Sequence, residues 1–276
     1  MINLTGDKYS SKKSVLVFGG IDPSSGSGIT RDAISINKAS CHPLCVTTSI
    51  VVQNNSEITN ILPIPDDIFN NSIKLITKEF ANIKAIKVGL VVSPFQSNLI
   101  KQISQDFGIK MIVDIPFVSS SGYQLLNPDS IEEICEDLLP NCYLYTPNIP
   151  EVDMHAAGHE GILQNGIANL LIKGGHSDDD YCTDILYTRV SSQENLNGKE
   201  DDVLYKFKEI KFTIQKYKTE DGLQVRGTGC ALASFIAAYT ARGFSLENAI
   251  TEAKNQVYKQ ITKSYYLGGK ARFLGN

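Results

Sequence analysis

The chain has 276 residues, of which 42% are hydrophobic and 20% are charged, and its formal net charge is −4. This composition is typical of a globular protein, and the charge balance excludes the basic surface that nucleic-acid-binding proteins need. No apolar run approaches the roughly 20 residues of a membrane span, and the polar start lacks the apolar centre of a secretory signal. We therefore expect a cytoplasmic protein with neither nucleic acid nor a membrane as a partner.

Short apolar runs alternate with segments of helical periodicity along most of the chain. The apolar runs predict strands at residues 14–18, 46–52, 85–92, 110–114, 143–145 and 170–172. The periodic segments predict helices at residues 29–39, 66–82, 94–107, 131–139, 231–241 and 245–265. Strands that alternate with helices form mostly parallel sheets covered on both faces, so we expect an α/β fold. Two later segments predict a solvated loop at 191–202 and an edge strand at 207–217.

The domain organisation is simple. The sequence contains no internal repeat, no low-complexity tract and no linker, so we predict a single domain over residues 1–276. Its polar residues 1–13 are expected to be flexible. Six cysteines are scattered along the chain without a Cys-x-x-Cys pair, which argues against a zinc site and against a disulfide framework.

A loop of small residues, 20–28, follows the first predicted strand. A strand, a glycine loop and a helix in this order place ligand groups at the carboxyl end of a parallel sheet. The glycine spacing matches neither the G-x-G-x-x-G dinucleotide pattern nor the Walker G-x-x-x-x-G-K pattern. The loop therefore predicts a ligand site without identifying the ligand.

A second glycine turn, at residues 226–232, opens the predicted helix at 231–241. The backbone amides of Gly227, Thr228 and Gly229 indicate an anion site, because a helix N-terminus carries partial positive charge. Cys230 falls in the first helical turn, where the thiolate is favoured, so it is a candidate base or nucleophile. The alternative is an ordinary turn with Cys230 as a small buried hydrophobic residue.

Polar side chains stand where three other predicted strands end. Asp114 is either a ligand that faces a metal or a phosphate, or the cap of the next turn. Gln53, followed by Asn54 and Asn55, either hydrogen-bonds a heterocycle or forms a simple turn. Lys173 lies where an apolar strand runs into two glycines.

Four stretches resemble one family, in the same order and over nearly the whole chain: residues 20–29 with Asp32, 146–151, 173–176 and 227–230. They are similar to the hydroxymethylpyrimidine and phosphomethylpyrimidine kinases of thiamine biosynthesis. The resemblance implies the three-layer ribokinase-like fold, with a mostly parallel central sheet and helices on both faces. It also implies a homodimer that uses ATP to phosphorylate 4-amino-5-hydroxymethyl-2-methylpyrimidine, and then its monophosphate, to the diphosphate.

The same resemblance assigns the groups for phosphoryl transfer. The amides of residues 227–229 would form the anion hole, and Cys230 would be the base at a position where many relatives of the wider superfamily carry aspartate. ATP and Mg²⁺ are the implied cofactors. The residues assigned to them are Asp114, Asn148 and Lys173 for the nucleotide side, and Glu151 with Asn148 for the metal, through waters.

Four residues fall on positions that line the pyrimidine pocket of the family: Gly20, Asp32, Val51 and Gln53. An aminopyrimidine presents a ring nitrogen beside an amine. Gln53 offers both a donor and an acceptor, and Asp32 offers acceptors, so their polarity matches. The alternative for Asp32 is a pairing with Arg31 or with solvent.

Two rival functions stay open, and a departure from the family pattern at Ser120 supports one of them. Ser120 stands where relatives usually carry a lysine, so a phosphate or lid contact is expected to be lost. The first rival is a pyridoxal or pyridoxine kinase of the same fold, against which the Gln53-Asn54 turn favours the pyrimidine. The second rival is a catalytically silent binding protein, which only Ser120 supports.

Overall fold

A computed structural model of the chain describes residues 12–119, 122–155, 158–175, 180–194 and 203–275. Ser120 lies outside the described residues, as do residues 1–11 of the segment predicted to be flexible and residues 195–202 of the predicted loop. The strands are β1 (Ser14–Ile21), β2 (His42–Gln53), β3 (Ile58–Pro63), β4 (Ile83–Val88), β5 (Met111–Val113), β6 (Leu144–Tyr145), β7 (Asn169–Ile172), β8 (Tyr181–Glu194), β9 (Val203–Gln215), β10 (Val225–Arg226) and β11 (Arg272–Phe273). The helices are α1 (Gly28–Lys38), α2 (Asp66–Glu79), α3 (Pro94–Phe107), α4 (Pro128–Leu138), α5 (Ile149–Asp153), α6 (Gly158–Gln164), α7 (Thr228–Ala241) and α8 (Leu246–Thr262).

Nine strands form one sheet in the order β3-β2-β1-β4-β5-β6-β7-β8-β9. Neighbours from β2 to β7 pair in parallel, whereas β3, β8 and β9 join antiparallel at the two edges. The strand β1 carries Val15, Leu16, Val17 and Phe18 in succession, all fully buried. A continuous apolar strand needs cover on both faces, which suits the interior of a parallel sheet.

Successive side chains of β1 enter two separate cores. Leu16 and Phe18 pack in one core with residues of α2, α3 and α4. Val15 and Val17 pack in the other with residues of α1, α7 and α8. The pleat of the strand therefore divides the helices between the two faces of the sheet, which confirms the predicted three-layer α/β fold. In the part of the chain that the structure describes, no helix is both long and apolar enough to span a membrane.

The antiparallel edges differ most from the sequence prediction. The strand β3 is not predicted, because most of its residues are exposed and its apolar periodicity is weak. The predicted loop at 191–202 begins too early, since β8 continues to Glu194. The predicted edge strand at 207–217 begins too late, since β9 starts at Val203, the pairing partner of Glu194. The hydrogen bonds of an antiparallel hairpin hold polar residues in strands even where no core covers them.

Candidate active site

The loops at the carboxyl ends of the parallel strands meet the N-terminal ends of α1 and α7. In the loop after β1, the carbonyl of Gly26 lies against Gly227, which precedes α7. After β7, the Nζ of Lys173 lies 3.3 Å from the point where a Cβ of Gly229 would be. Ligands of open parallel sheets bind at this edge. The edge therefore collects the groups that the sequence assigns to phosphoryl transfer.

A buried carboxylate organises the first glycine loop. Asp22 follows β1, and its Oδ1 accepts hydrogen bonds from the amide and the hydroxyl of Ser24, at 2.8 and 2.7 Å. Its Oδ2 accepts from the amide and the hydroxyl of Ser27, at 2.9 and 2.8 Å. Aspartate side chains commonly fold turns in this way. The predictions miss Asp22, although an aspartate before a proline and several small residues is a signal for such a turn.

Arg226, just before α7, bonds to the loop after β1 and to the end of β2. Its Nη2 lies 3.3 Å from Asp22 Oδ2 and donates to Gln53 Oε1 at 2.6 Å, while its Nη1 donates to the carbonyl of Asn54 at 2.7 Å. The predicted site residue Gln53 therefore lies at the same edge as the anion turn, with its oxygen oriented by Arg226. This arginine is also missed by the sequence predictions, because its partners are distant in the chain.

Two glycines allow α1 and α7 to begin close to each other. Gly227 has φ +81°, and a Cβ on it would lie 2.0 Å from the carbonyl oxygen of Gly26. Gly28 has φ +64°, and a Cβ on it would lie 2.3 Å from the carbonyl oxygen of Gly20. Only glycine accepts both the left-handed backbone and this close approach. The positive ends of two helix dipoles therefore lie near each other.

Cys230 is the third residue of α7 and is half-buried. The amide of Gly28, at the start of α1, donates a hydrogen bond to its thiol. Burial raises the pKa of Cys230 to about 11, and the positive charge of Lys87 offsets only part of this effect. The favoured thiolate predicted from the helix position is therefore wrong, because the loss of solvation outweighs the charge of Lys87 and the hydrogen bond from Gly28.

Asp114 and Lys173 form a close ion pair at the ends of β5 and β7. The Nζ of Lys173 donates to Asp114 Oδ1 at 2.6 Å, and the hydroxyl of Thr146 donates to the same oxygen at 3.0 Å. Burial acts to raise the pKa of Asp114, but the charges of Lys173 and Lys87 outweigh it and lower that pKa. The structure thus brings together two predicted site residues and holds both in their charged forms.

Asn148 and Glu151 form a capping box at the start of α5. The amide of Glu151 donates to Asn148 Oδ1, and the amide of Asn148 donates to Glu151 Oε2, each at 2.8 Å. Burial raises the pKa of Glu151, and the negative charge of Asp114 raises it further. A cation placed beside such a carboxylate would favour its ionised form.

The donor set at this edge fits a magnesium ion that is shared with a ligand. Among the described residues, no group of three or more His, Cys, Asp or Glu side chains is placed to hold a metal ion. Mg²⁺ usually takes one or two carboxylates from the protein and completes its shell with waters and substrate phosphates. Glu151 meets this requirement, because its buried carboxylate supplies the hard oxygen donors that Mg²⁺ prefers.

Val51, which is predicted to line the substrate pocket with Gly20, has its side chain close to Gly20. A Cβ on Gly20 would lie 2.9 Å from Ser49 Oγ, 3.0 Å from Val51 Cγ2 and 3.3 Å from Leu90 Cδ2. Side chains from β2 and from the segment after β4 therefore converge on the face of Gly20. The sequence predictions do not include Ser49, whose hydroxyl is buried and has no hydrogen-bond partner in the described structure.

Asp32 does not lie where a substrate could reach it. It is fully buried; its Oδ2 accepts from Lys87 Nζ at 2.9 Å and its Oδ1 accepts from the hydroxyl of Ser234 at 2.8 Å. Burial acts to lower the pKa of Lys87, but the charge of Asp32 outweighs it and raises that pKa. The predicted contact of Asp32 with the heterocycle is therefore corrected to an interior ion pair. A lysine within the apolar stretch 85–92 is the signal that such a pair exists.

Comparisons with known proteins show the family to which the chain belongs. The family model for phosphomethylpyrimidine kinase matches residues 22–274. The hydroxymethylpyrimidine/phosphomethylpyrimidine kinase of Aquifex aeolicus is 29% identical over 265 residues, which cover 92% of this chain and 96% of that relative. The crystal structure of phosphomethylpyrimidine kinase from Clostridium difficile superimposes with a TM-score of 0.68 at 27% identity, covering 91% of this chain and all of the other.

A pyridoxal kinase has the same fold. The structure of the Staphylococcus aureus enzyme in complex with pyridoxal gives a TM-score of 0.79 at 22% identity, with 96% of this chain and 93% of the other covered. At that identity the similarity establishes the shared architecture. The family model, by contrast, spans nearly the whole chain, including the glycine loop from Asp22 and the turn before α7. This chain belongs to the phosphomethylpyrimidine kinase family.

Proposed function

We propose that the chain is an ATP-dependent kinase that phosphorylates the hydroxymethyl group of 4-amino-5-hydroxymethyl-2-methylpyrimidine and then the resulting monophosphate. The position of Lys173 carries this proposal: its Nζ lies 2.6 Å from Asp114 Oδ1 and beside the first turn of α7 at Gly229. A cation, a carboxylate and the amides at the N-terminus of a helix thus lie next to one another. Phosphoryl transfer depends mainly on such positioned charge. Family membership supplies the substrate class.

The residues of the two helix N-termini would act on the transferred group. The amides of Gly227, Thr228 and Gly229 would stabilise the phosphoryl group while the substrate oxygen bonds to phosphorus and the bond to the ADP oxygen breaks. Cys230 would take the proton from the attacking hydroxyl group. Lys173 would contact the ATP phosphates as a compact cation.

Magnesium would be held beside Glu151, with Asn148 and Asp114 near it. Magnesium held by these residues would supply positive charge that neutralises part of the charge of the ATP phosphates. The protein's own part is to keep Glu151 in place, which the capping box with Asn148 does. Asp114 is oriented by Lys173 and Thr146 and would face the same phosphates.

The pyrimidine would bind between the loop after β1 and the end of β2. Gly20 and Val51 would pack against the ring, and the Nε2 of Gln53 would donate to a ring nitrogen. The Oε1 of Gln53 already accepts from Arg226, so this arginine would decide which end of the amide faces the ring.

A steady-state comparison of two substrates tests the proposal. With ATP and Mg²⁺, we expect a higher kcat/KM for the hydroxymethylpyrimidine than for pyridoxal, measured as ADP release. A higher kcat/KM for pyridoxal would instead assign the chain to the vitamin B6 kinases. If neither alcohol causes ADP release, the chain is a binding protein without kinase activity.

We also propose that the protein is a cytoplasmic homodimer. The apolar side chains of Ile50, Val52 and Leu62 are 41%, 50% and 59% exposed on the edge strand β3 and its neighbour β2. Ile50 and Leu62 are paired across these strands, so they form one patch. Exposed apolar patches are typical of protein interfaces. Light scattering should give twice the monomer mass for the native protein and the monomer mass for Leu62→Glu; a monomeric native protein would refute the dimer.

A further inference from the structure

A buried ion pair connects the helix α8 to the loop that carries Lys173. The Nζ of Lys254, on α8, donates to Asp184 Oδ2 at 2.6 Å. The amide of Gly174 donates to the other oxygen, Asp184 Oδ1, at 3.0 Å. Both charged side chains are buried, with 8% of Lys254 and 2% of Asp184 exposed. One carboxylate oxygen therefore holds the lysine and the other holds the loop.

The backbone around Lys173 is fixed from two sides. The amide of Lys173 donates to the carbonyl of Pro147 at 2.9 Å, which ties it to the loop before α5. Gly174, the next residue, is pressed against β8, because a Cβ on it would lie 1.9 Å from the carbonyl oxygen of Thr183. The bond from the Gly174 amide to Asp184 completes this contact. The long, flexible side chain of Lys173 therefore starts from a backbone that is held on two sides.

We propose that Asp184 is a positioning residue for the phosphates of ATP, acting through Lys173. Its Oδ1 fixes the Gly174 amide, and Lys254 serves to neutralise the carboxylate so that it can be buried. The inference rests on the proposed role of Lys173 as a contact of the ATP phosphates. It predicts that loss of the Gly174 bond weakens ATP binding without weakening pyrimidine binding.

Two double variants without the buried charges separate this role from a purely structural one. In Asp184→Asn/Lys254→Met, the asparagine oxygen still accepts from Gly174. In Asp184→Leu/Lys254→Met, a side chain of similar size has no acceptor. We expect the first variant to keep the wild-type KM for ATP and the second to raise it at least about tenfold, the size of one lost hydrogen bond to a charged group. The KM for the pyrimidine should be unchanged in both.

A third variant keeps the ion pair and does not depend on apolar replacement. Asp184→Glu retains a carboxylate for Lys254 but moves it by one methylene, so a rise in the KM for ATP with a near-native Tm is expected. Asp180→Asn is the matched control, because Asp180 precedes the same strand and pairs with Lys218 at an exposed position. If the KM for ATP is the same in Asp184→Leu/Lys254→Met, Asp184→Asn/Lys254→Met and Asp184→Glu, the inference is overturned.

One further variant distinguishes failure of the inference from failure of the proposed function. Lys173→Met should raise the KM for ATP more than any Asp184 variant, since it removes the cation itself. If Lys173→Met raises the KM for ATP and the Asp184 variants do not, Asp184 has no positioning role. If Lys173→Met leaves it unchanged, the proposed role of Lys173 is wrong and the inference falls with it.

Discussion

Replacing Cys230 with alanine is expected to lower kcat by about 10²- to 10⁴-fold, the range associated with the loss of a general base. The KM for ATP should change little, because the amides of residues 227–229 remain in place. Steady-state ADP release with the pyrimidine alcohol measures both constants. Cys45→Ala is the control, since Cys45 is exposed on β2 and should retain full activity. Unchanged turnover in Cys230→Ala would reject the assignment of the base.

The pH dependence of the wild-type enzyme should reveal the same group. Burial raises the pKa of Cys230 to about 11, so only a small fraction is thiolate near neutral pH. That fraction grows about tenfold for each pH unit below the pKa, so kcat should rise as the pH increases from about 7 to about 9. Cys230→Asp places a carboxylate there that is already ionised over this range. It should retain turnover and lose the rise with pH.

Replacing Lys87 with methionine is expected to lower the free energy of unfolding by about 3–5 kcal/mol. The change leaves the carboxylate of Asp32 fully buried without its cation, while Ser234 alone still bonds it. Urea denaturation measures the loss as a lower transition midpoint with an unchanged slope. Wild-type stability in Lys87→Met would contradict the interior ion pair and restore Asp32 as a candidate contact of the substrate.

Two further variants control for the loss of charge. Lys87→Met/Asp32→Leu removes both charges, so it should recover most of the stability lost in Lys87→Met. Lys208→Met breaks an ion pair with Glu247 in which both side chains are more than half exposed. Exposed pairs contribute less than about 1 kcal/mol, so this variant should denature like the wild type.

Local patterns in the sequence were sufficient for the central sheet and for the two glycine turns. The helix α3 begins and ends where its apolar spacing predicts, from Pro94 to Phe107. Asp114 and Lys173 were each predicted at a strand end, and parallel strands bring such ends to one edge. Their contact therefore follows from the fold and not from any direct pairing signal in the sequence.

The missed features depend on contacts between distant parts of the chain. Asp22 and Arg226 come into contact only after α7 has packed against the loop that follows β1. Lys87, on β4, contacts Asp32 only when α1 has packed against the sheet. Cys230 shows the same limit for electrostatics. Its helix position can be read locally and favours the thiolate, but its burial is set by the tertiary structure and reverses the effect.

The most direct test of the whole site is a crystal structure with the hydroxymethylpyrimidine, Mg²⁺ and a non-hydrolysable ATP analogue. We predict that the substrate hydroxymethyl oxygen lies within hydrogen-bond distance of Cys230 Sγ. The γ-phosphate should lie against the amides of residues 227–229, with Lys173 in contact with the ATP phosphates. A pyrimidine bound with its hydroxymethyl group directed away from Cys230, or a γ-phosphate remote from these amides, would contradict the proposed site.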